Sequence, residues 1–264
     1  MRGTTGGLAG RHALVTGASS GLGVDFAREL ARRGAGLTLV ARREDRLRAL
    51  ARELADAHGV DAHVVVLDLN EAGAPDRLLA DTQARRRPVD VLVNNAGFGL
   101  YGPFSKLDWE RERNMLVLDV IVPVHLTKLF LPGMLERGFG HVLNVASIGA
   151  YQPSPLYASY SAAKSFVLSF TEALSYELRG TGVHATAVSP GVVATEFLHV
   201  AGQTPTRYQR RSRMDSPTVA RIGVDAMLKG RPSLVIGWRN AAAAWSVRLL
   251  PRRTAAALAY RAMR

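Results

Sequence analysis

Seven short apolar segments alternate along the chain with longer segments whose apolar residues have helical spacing. The short segments are rich in valine and leucine throughout rather than alternately apolar and polar, which is typical of parallel strands covered on both faces. Such strands connect through helices in right-handed crossovers. The pattern therefore predicts an α/β fold, a doubly wound parallel sheet of about seven strands with helices on both faces in a single domain. The predicted strands are 12–17, 37–41, 62–69, 89–97, 141–147, 183–191 and 233–237.

Between these strands, helices are predicted at about 22–34, 44–58, 71–85, 107–131 and 157–180. The alternation gives one domain over residues 8–237, followed by a basic, alanine-rich helical tail over 238–264. No run of eighteen uncharged apolar residues is found, so no transmembrane helix is expected. The first residues lack an apolar stretch long enough for a signal peptide.

Composition restricts the chemistry. The absence of cysteine excludes disulfides, thiolate metal sites and cysteine nucleophiles, and it favours a cytoplasmic location. No metal site is expected. The net charge of +12 attracts polyanions such as nucleic acid, anionic lipid or a phosphorylated cofactor. No zinc-finger spacing, RNA-binding motif or basic zipper accompanies the arginines, so nucleic acid is not an expected partner.

The first strand leads into a glycine-rich turn and then a helix, in the sequence LVTGASSGLGVDFA. Gly17, Gly21 and Gly23 stand where the backbone must turn sharply and approach another group closely. The N-terminus of the following helix suits a pyrophosphate. A tight structural turn is the alternative, but the flanking strand and helix favour nucleotide binding.

The second strand ends at Ala41 and is followed by Arg42 and Arg43. Folds that bind NAD often carry an acid near this point, whereas an arginine accommodates the 2′-phosphate of NADP. The pair therefore favours NADP(H) over NAD(H), unless the two arginines only begin a solvated helix. Asp68 and the segment Asn94 to Gly97 follow the third and fourth strands, where open parallel sheets bind ligands.

Tyr160 and Lys164 are four residues apart in a predicted helix, so their side chains are neighbours on one face. Tyr157 is seven residues from Lys164, roughly 10 Å along the axis. Tyr160 is therefore the tyrosine whose side chain can contact Lys164. An ammonium group nearby favours the phenolate and lowers the pKa of the tyrosine towards the range useful for acid–base catalysis. A surface tyrosine stacked on a lysine stem is the alternative.

The chain resembles the short-chain dehydrogenase/reductase family over about residues 8–237. The resemblance is carried by Thr16-Gly17-Ala18-Ser19-Ser20-Gly21-Leu22-Gly23, Asn94-Asn95-Ala96-Gly97, Ser147, Tyr160-Ser161-Ala162-Ala163-Lys164 and Pro190-Gly191.

The resemblance implies a Rossmann-like sheet and hydride transfer between NADP(H) and a carbonyl or secondary alcohol. By position it makes Tyr160 the acid/base and Ser147 the hydrogen-bond partner of the substrate oxygen. Lys164 would bind the nicotinamide ribose and lower the pKa of the tyrosine. A homodimer or homotetramer is also implied. The implied and predicted cofactor residues are Gly17, Ser19, Ser20, Gly21, Leu22, Gly23, Arg42, Arg43, Asp68, Leu69, Asn95, Ala96, Gly97, Tyr160, Lys164, Pro190, Gly191, Val193 and Thr195.

Asp119 departs from the family pattern, which has a catalytic asparagine at this position. An ionised aspartate accepts hydrogen bonds but cannot donate one. Its charge would hold Lys164 protonated and offset the effect of the lysine on Tyr160. We expect activity to persist with a more alkaline pH profile. The alternative is a non-catalytic protein that binds NADPH as a regulator.

The substrate pocket and the tail are the parts of the chain whose roles the sequence leaves most open. The segments 98–104, 148–156 and 197–213 should select the substrate. Their large apolar residues suggest an apolar pocket, although they could equally be core residues. These residues are Phe98, Tyr101, Phe104, Tyr151, Leu156 and Phe197.

In the tail, Ala255, Leu258, Ala259, Ala262 and Met263 fall on one helical stripe. The tail either packs on the domain or on a neighbouring subunit, or forms a peripheral membrane helix, which Trp245 and its flanking arginines would suit.

Overall fold

Seven parallel strands form a sheet in the computed structural model, which describes residues 7–264. Residues 1–6 lie outside that range. They begin the segment in which no signal peptide is predicted. The strands, numbered in chain order, are β1 (His12–Thr16), β2 (Gly36–Ala41), β3 (Ala62–Val66), β4 (Val91–Asn94), β5 (Gly140–Val145), β6 (Val183–Ser189) and β7 (Ser233–Val235). Their order in the sheet is β3-β2-β1-β4-β5-β6-β7, which confirms the predicted doubly wound, single-domain fold.

Helices cover both faces of this sheet, and two more helices follow the last strand. They are α1 (Leu22–Arg32), α2 (Glu44–His58), α3 (Ala74–Ala84), α4 (Trp109–Leu116), α5 (Val122–Glu136), α6 (Ala158–Glu177), α7 (Phe197–Ala201), α8 (Arg207–Arg211), α9 (Ser216–Leu228), α10 (Trp238–Ser246) and α11 (Arg252–Met263).

Adjacent strand residues supply two separate hydrophobic cores, because successive side chains of a strand point to opposite faces. Val15 of β1 belongs to the core that also contains Phe26 of α1 and Val224 of α9. Leu14 belongs to the opposite core, which contains Leu126 of α5. The central strands β1 and β4 are therefore buried on both sides, which is why their sequences are largely apolar, whereas the edge strands β3 and β7 are only partly buried.

The third and fourth predicted helices differ from the observed ones. The third begins at Ala74 rather than residue 71, directly after Gly73, whose φ of +70° suits glycine. The fourth was predicted over 107–131 and runs over Trp109–Glu136 in three parts, α4, a π-helical turn at Val117–Ile121, and α5. It continues past Pro132, whose missing N–H does not stop it.

The segment Trp109–Glu136 is, by length and composition alone, long and apolar enough to cross a membrane. Its inward residues, among them Val122, Phe130 and Met134, are buried against the sheet. This is the arrangement of a helix that covers a core.

The direction of winding changes between β1 and β4, so the loops after these two strands separate and open a crevice. Gly17 follows β1 and Asn95 follows β4 at this edge of the sheet. Ser147 and Pro190 follow β5 and β6 at the same edge. The fold thus gathers sequence-distant polar and glycine-rich segments at one place.

A buried polar network lies directly beneath the crevice. The Asn94 amide donates to Asn144 Oδ1 at 2.8 Å and to Thr127 Oγ1 at 3.3 Å. The Asn144 amide donates in turn to Thr171 Oγ1 at 2.8 Å. These bonds join β4, β5, α5 and α6, and none of the four side chains is more than 7% exposed. Such a network fixes the relative positions of the elements that carry the crevice.

Replacing Asn144 with alanine should lower the free energy of unfolding by about 2–3 kcal/mol, because buried partners on Asn94 and Thr171 lose their bonds. Urea unfolding followed by circular dichroism measures the change. Ser169→Ala, an exposed change on the same helix as Thr171, should alter it by less than about 0.5 kcal/mol. Equal effects of the two changes would contradict the role of the network.

Candidate active site

The glycine-rich turn after β1 is packed tightly against the segment after β4. Gly17 and Gly21 adopt φ values of +70° and +54°, which favour glycine. A Cβ atom on Gly17 would lie 2.9 Å from Ala96 Cα, and one on Gly23 would overlap the Gly17 carbonyl oxygen. The turn therefore depends on small residues, and it leaves the N-terminus of α1 open towards the crevice.

The two neighbouring asparagines after β4 have different surroundings. Asn94 points into the buried network, whereas the Asn95 amide donates to the Thr16 carbonyl at 2.9 Å. Thr16 Oγ1 accepts from the N–H groups of Asn95 and Ala96, each at 3.0 Å. These bonds hold the turn after β1 against the turn after β4.

Two arginines after β2 face the same crevice. Arg43 Nε donates to Ser19 Oγ of the glycine-rich turn at 3.2 Å. Arg43 also pairs with Glu196 at 3.2 Å, and Arg46 pairs with that carboxylate at 2.9 Å. Hydrogen bonds from Arg46 and Arg43 lower the pKa of Glu196. Arg42 is more exposed and lies 3.4 Å from Asp68. Arg43 is thus the arginine fixed at the turn.

Ser147, Tyr160 and Lys164 lie together at the inner end of the crevice. Ser147 follows β5, and its Oγ accepts from the Gly149 N–H at 3.1 Å. Tyr160 lies in the first turn of α6, and Lys164 lies one turn later. Lys164 Nζ donates to the Val145 carbonyl at 3.0 Å and lies 5.7 Å from the centre of the Tyr160 ring.

Asp119 lies in the π-helical turn between α4 and α5, behind the lysine. Its Oδ2 is 3.2 Å from Lys164 Nζ, and its Oδ1 accepts from the Phe98 N–H at 3.3 Å. The side chain is only 1% exposed. A Cβ atom on Gly97 would overlap Asp119 Oδ1, so glycine there makes room for the carboxylate. Asp119 and Lys164 form a buried ion pair.

The electrostatics of this pair reach Tyr160. Burial raises the pKa of Asp119 against the opposing effects of Lys164 and the Phe98 N–H. Burial also raises the pKa of Tyr160 well above its ordinary value, and the charge of Asp119 raises it further. The Ser147 hydroxyl acts in the opposite direction.

The net pKa of Tyr160 is therefore raised, whereas the sequence predicted a lowered one. Burial of the phenol is the largest cause, and the charge of Asp119, whose carboxylate lies 3.2 Å from Lys164 Nζ, adds to it. The charge of Asp119 raises the pKa of Tyr160, which is the direction expected from the sequence. Burial raises this pKa as well, and that effect could not be seen in the sequence.

These groups line one cavity of about 690 Å³. Of the predicted site residues, Gly23 and Asp119 do not line it, since Gly23 lies beneath the turn and Asp119 behind Lys164. The predicted site residues that do line it are Gly17, Ser19, Ser20, Gly21, Leu22, Arg42, Arg43, Asp68, Leu69, Asn95, Ala96, Gly97, Ser147, Tyr160, Lys164, Pro190, Gly191, Val193 and Thr195.

The far end of the cavity differs in part from the predicted substrate pocket. Phe98 and Phe197 line it, as do Tyr157, Leu198 and Val200. Four other predicted pocket residues do not line it, namely Tyr101, Phe104, Tyr151 and Leu156.

The end of α11 also lies at this cavity. Its contribution to the cavity was not predicted from the sequence. Met263 is among the lining residues. Its carbonyl accepts from Tyr101 Oη at 3.0 Å and from the Gln203 amide at 3.1 Å. Gln203 Oε1 accepts from Tyr157 Oη at 2.7 Å and from the Gln209 amide at 2.9 Å. This polar network joins the start of α6, the α7–α8 segment and the tail. The only sequence signal was the apolar stripe that ends at Met263.

Comparison with known proteins identifies the family of the chain. The family described as short chain dehydrogenase matches residues 11–205. A short chain dehydrogenase of Pseudocercospora fijiensis is 36% identical over 223 residues, which are 80% of this chain and 71% of that protein. The very-long-chain 3-oxoacyl-CoA reductase of Anas platyrhynchos is 32% identical over 240 residues, which are 87% of this chain and 74% of that protein.

Among solved structures, a short-chain dehydrogenase from Sphingobium yanoikuyae in complex with NADPH has a TM-score of 0.81 and 28% identity. The match covers 90% of this chain and 92% of that one. The family match spans the glycine-rich turn, the Asn-Asn-Ala-Gly segment and the Ser147, Tyr160 and Lys164 cluster. The chain belongs to the short chain dehydrogenase family.

Proposed function

We propose that the protein is an NADP(H)-dependent oxidoreductase that transfers a hydride between the nicotinamide and the carbonyl/secondary alcohol group of an apolar substrate. The observation that carries this proposal is one continuous cavity. The glycine-rich turn and Arg43 lie at one end, Ser147, Tyr160 and Lys164 lie further in, and an apolar wall follows.

The outer end of the cavity fits the cofactor. A pyrophosphate would lie at the glycine-rich turn, where side chains larger than glycine would collide with Gly17 or Ala96. Arg43, fixed by its bond to Ser19, is placed to pair with a 2′-phosphate, which NAD(H) lacks. Lys164, with its Nζ beside Val145, would hold the nicotinamide ribose. NAD(H) is therefore the less favoured cofactor.

The inner groups supply the acid chemistry. The Gly149 N–H donates to Ser147 Oγ and orients the hydroxyl, which in the substrate complex would donate its hydrogen to the substrate carbonyl oxygen rather than to Tyr160. Tyr160 then donates its phenolic proton to the oxygen as negative charge develops there. Bound NADPH supplies the hydride.

The ionisation of Tyr160 links each direction of the proposed reaction to pH. At neutral pH the side chain is a phenol, which is the form needed to protonate an alkoxide. Oxidation of an alcohol needs the phenolate, whose population increases as the pH rises towards the pKa. We therefore expect reduction to remain active into the alkaline range and oxidation to strengthen with pH.

The apolar wall suggests the substrate class. Phe98, Tyr157, Phe197 and Leu198 lie around the space next to Tyr160, and the Tyr160 and Phe197 rings are 5.3 Å apart. Such a wall suits a ketone that carries an alkyl or acyl chain. The similarity to a 3-oxoacyl-CoA reductase places 3-oxoacyl thioesters in the panel of substrates to test.

A regulatory protein that binds NADPH without turnover is the second candidate. Asp119 favours it, because a buried carboxylate stands where the family has an asparagine and opposes ionisation of Tyr160. The oxidoreductase should consume NADPH with some member of a panel of ketones, diketones, steroids and 3-oxoacyl thioesters. Tight binding without turnover across the panel would favour the regulator.

The first prediction for the proposed reaction concerns the proton donor. Tyr160→Phe should lower kcat by about 10²–10⁴-fold, since the acid is lost, while the Kd for NADPH changes by less than about twofold. Tyr157→Phe removes the bond to Gln203 but no reacting group, and it should cost less than about tenfold. Steady-state kinetics and NADPH fluorescence measure both quantities. Retention of most activity by Tyr160→Phe would refute the assignment.

Cofactor choice gives a second prediction. Arg43→Ala should raise the Kd for NADPH by about tenfold or more, because a charge-assisted bond to the 2′-phosphate is lost. The Kd for NADH should change by less than about twofold. Arg46→Ala is the matched control, since Arg46 also pairs with Glu196 but has no bond to the glycine-rich turn. An equal change for NADPH and NADH in Arg43→Ala would contradict recognition of the 2′-phosphate.

A third prediction concerns the pH profile. Removing the charge in Asp119→Asn lowers the pKa of Tyr160, so the rising limb of kcat/KM for alcohol oxidation should move to lower pH. The falling limb for carbonyl reduction should move in the same direction. Initial rates over a pH series measure both limbs.

Glu196→Gln removes a carboxylate at the other end of the cavity and should leave these limbs in place. Superimposable curves for the native protein and Asp119→Asn would show that Asp119 does not control the ionisation of Tyr160.

A further inference from the structure

All three tryptophans of the chain are exposed. Trp109, Trp238 and Trp245 have 62%, 80% and 61% of their surface accessible, although tryptophan is highly buried on average in folded proteins. Two of them lie on α10, within the tail. An exposed pair of indoles on one short helix indicates a surface that contacts an apolar or interfacial partner.

The outer face of α10 carries a continuous apolar stripe. Trp238, Ala242 and Trp245 follow helical spacing, and Leu249 continues the stripe one turn later, with 69% of its surface exposed. We call these four residues the α10 stripe. The opposite face packs on the domain, where Ala244 is buried.

Positive charge flanks this stripe on both sides. At about 100° per residue, Arg239 lies to one side of Trp238, and Arg248 lies to the other side of Leu249. Residues 238–264 contain six arginines and neither aspartate nor glutamate. In the described range 7–264, no ion pair engages any of these six arginines. All six side chains are exposed, so their charges face the solvent.

We propose that the α10 stripe binds the surface of a bilayer that contains anionic phospholipid. Indole rings favour the boundary between headgroups and acyl chains. Arginines beside them bind lipid phosphates and strengthen attachment to a negatively charged leaflet. The helix lies in the plane of the interface with its alanine-rich inner face on the protein.

A second copy of the chain fits this surface less well. A two-fold contact through the α10 stripe would bring the same arginines of both copies together. Such like charges repel, and the tail offers no acidic residue to compensate. An anionic membrane supplies the complementary charge.

The inner face of α10 lies beside the cavity. Asn240 packs closely on Gly191, which lines the cavity. A Cβ atom on Gly191 would lie only 2.5 Å from the amide nitrogen of Asn240. Asn240 is held by its bond to the Ile236 carbonyl at 2.8 Å. Membrane binding thus places the cavity close to apolar molecules dissolved in the bilayer. The contact itself does not depend on the proposed reaction.

The test uses the full chain and vesicles of phosphatidylcholine, with or without phosphatidylglycerol, in a flotation assay. The native protein should float with the anionic vesicles at low salt, remain behind with the neutral ones, and show a blue shift of tryptophan fluorescence on binding. Trp238→Ser/Trp245→Ser should weaken the anionic binding by at least about tenfold. Arg239→Glu/Arg248→Glu should do the same.

Matched controls separate the stripe from general effects. Val66→Ser/Tyr176→Ser removes exposed apolar side chains outside the tail, and Arg52→Glu/Arg231→Glu makes the same change in net charge. Both controls should float as the native protein does. Failure of the native protein to float, or equal binding by the stripe variants, would overturn the proposal. A native oligomer that dissociates in Trp238→Ser/Trp245→Ser would overturn it as well, in favour of a second copy.

Discussion

The ion pair between Asp119 and Lys164 joins three separate parts of the molecule. The carboxylate comes from the π-helical turn between α4 and α5, the ammonium from α6, and the Phe98 N–H that binds the carboxylate comes from the segment after β4. A shift in any of these elements would leave a buried charge without its partner, which is costly. The pair therefore fixes the inner wall of the cavity and sets the electrostatic surroundings of Tyr160.

Much of this arrangement could be predicted from the chain alone. Continuous valine- and leucine-rich segments gave seven parallel strands, because a strand buried on both faces cannot alternate in polarity. Helical spacing selected Tyr160 over Tyr157, and in the structure Tyr157 is instead bonded to Gln203. These inferences depend on local periodicity, which a sequence displays directly.

The remaining features depend on contacts between distant segments. Asn94 and Asn95 are equivalent in the sequence, yet one side chain enters the core and the other holds the glycine-rich turn. Desolvation of Tyr160 follows from tertiary packing, so the sign of its pKa shift could not be derived from helical spacing. Likewise, the contact of Met263 with the cavity depends on how the tail folds back, which no local pattern encodes.

The central claim is that Tyr160 stays protonated at neutral pH and acts as an acid. Ultraviolet absorbance of the phenolate, recorded over a pH series for the native protein and for Tyr160→Phe, isolates this one tyrosine by difference. The account predicts no Tyr160 phenolate at neutral pH and ionisation only above the ordinary range of tyrosine. A phenolate signal that appears near neutral pH and vanishes in Tyr160→Phe would contradict it.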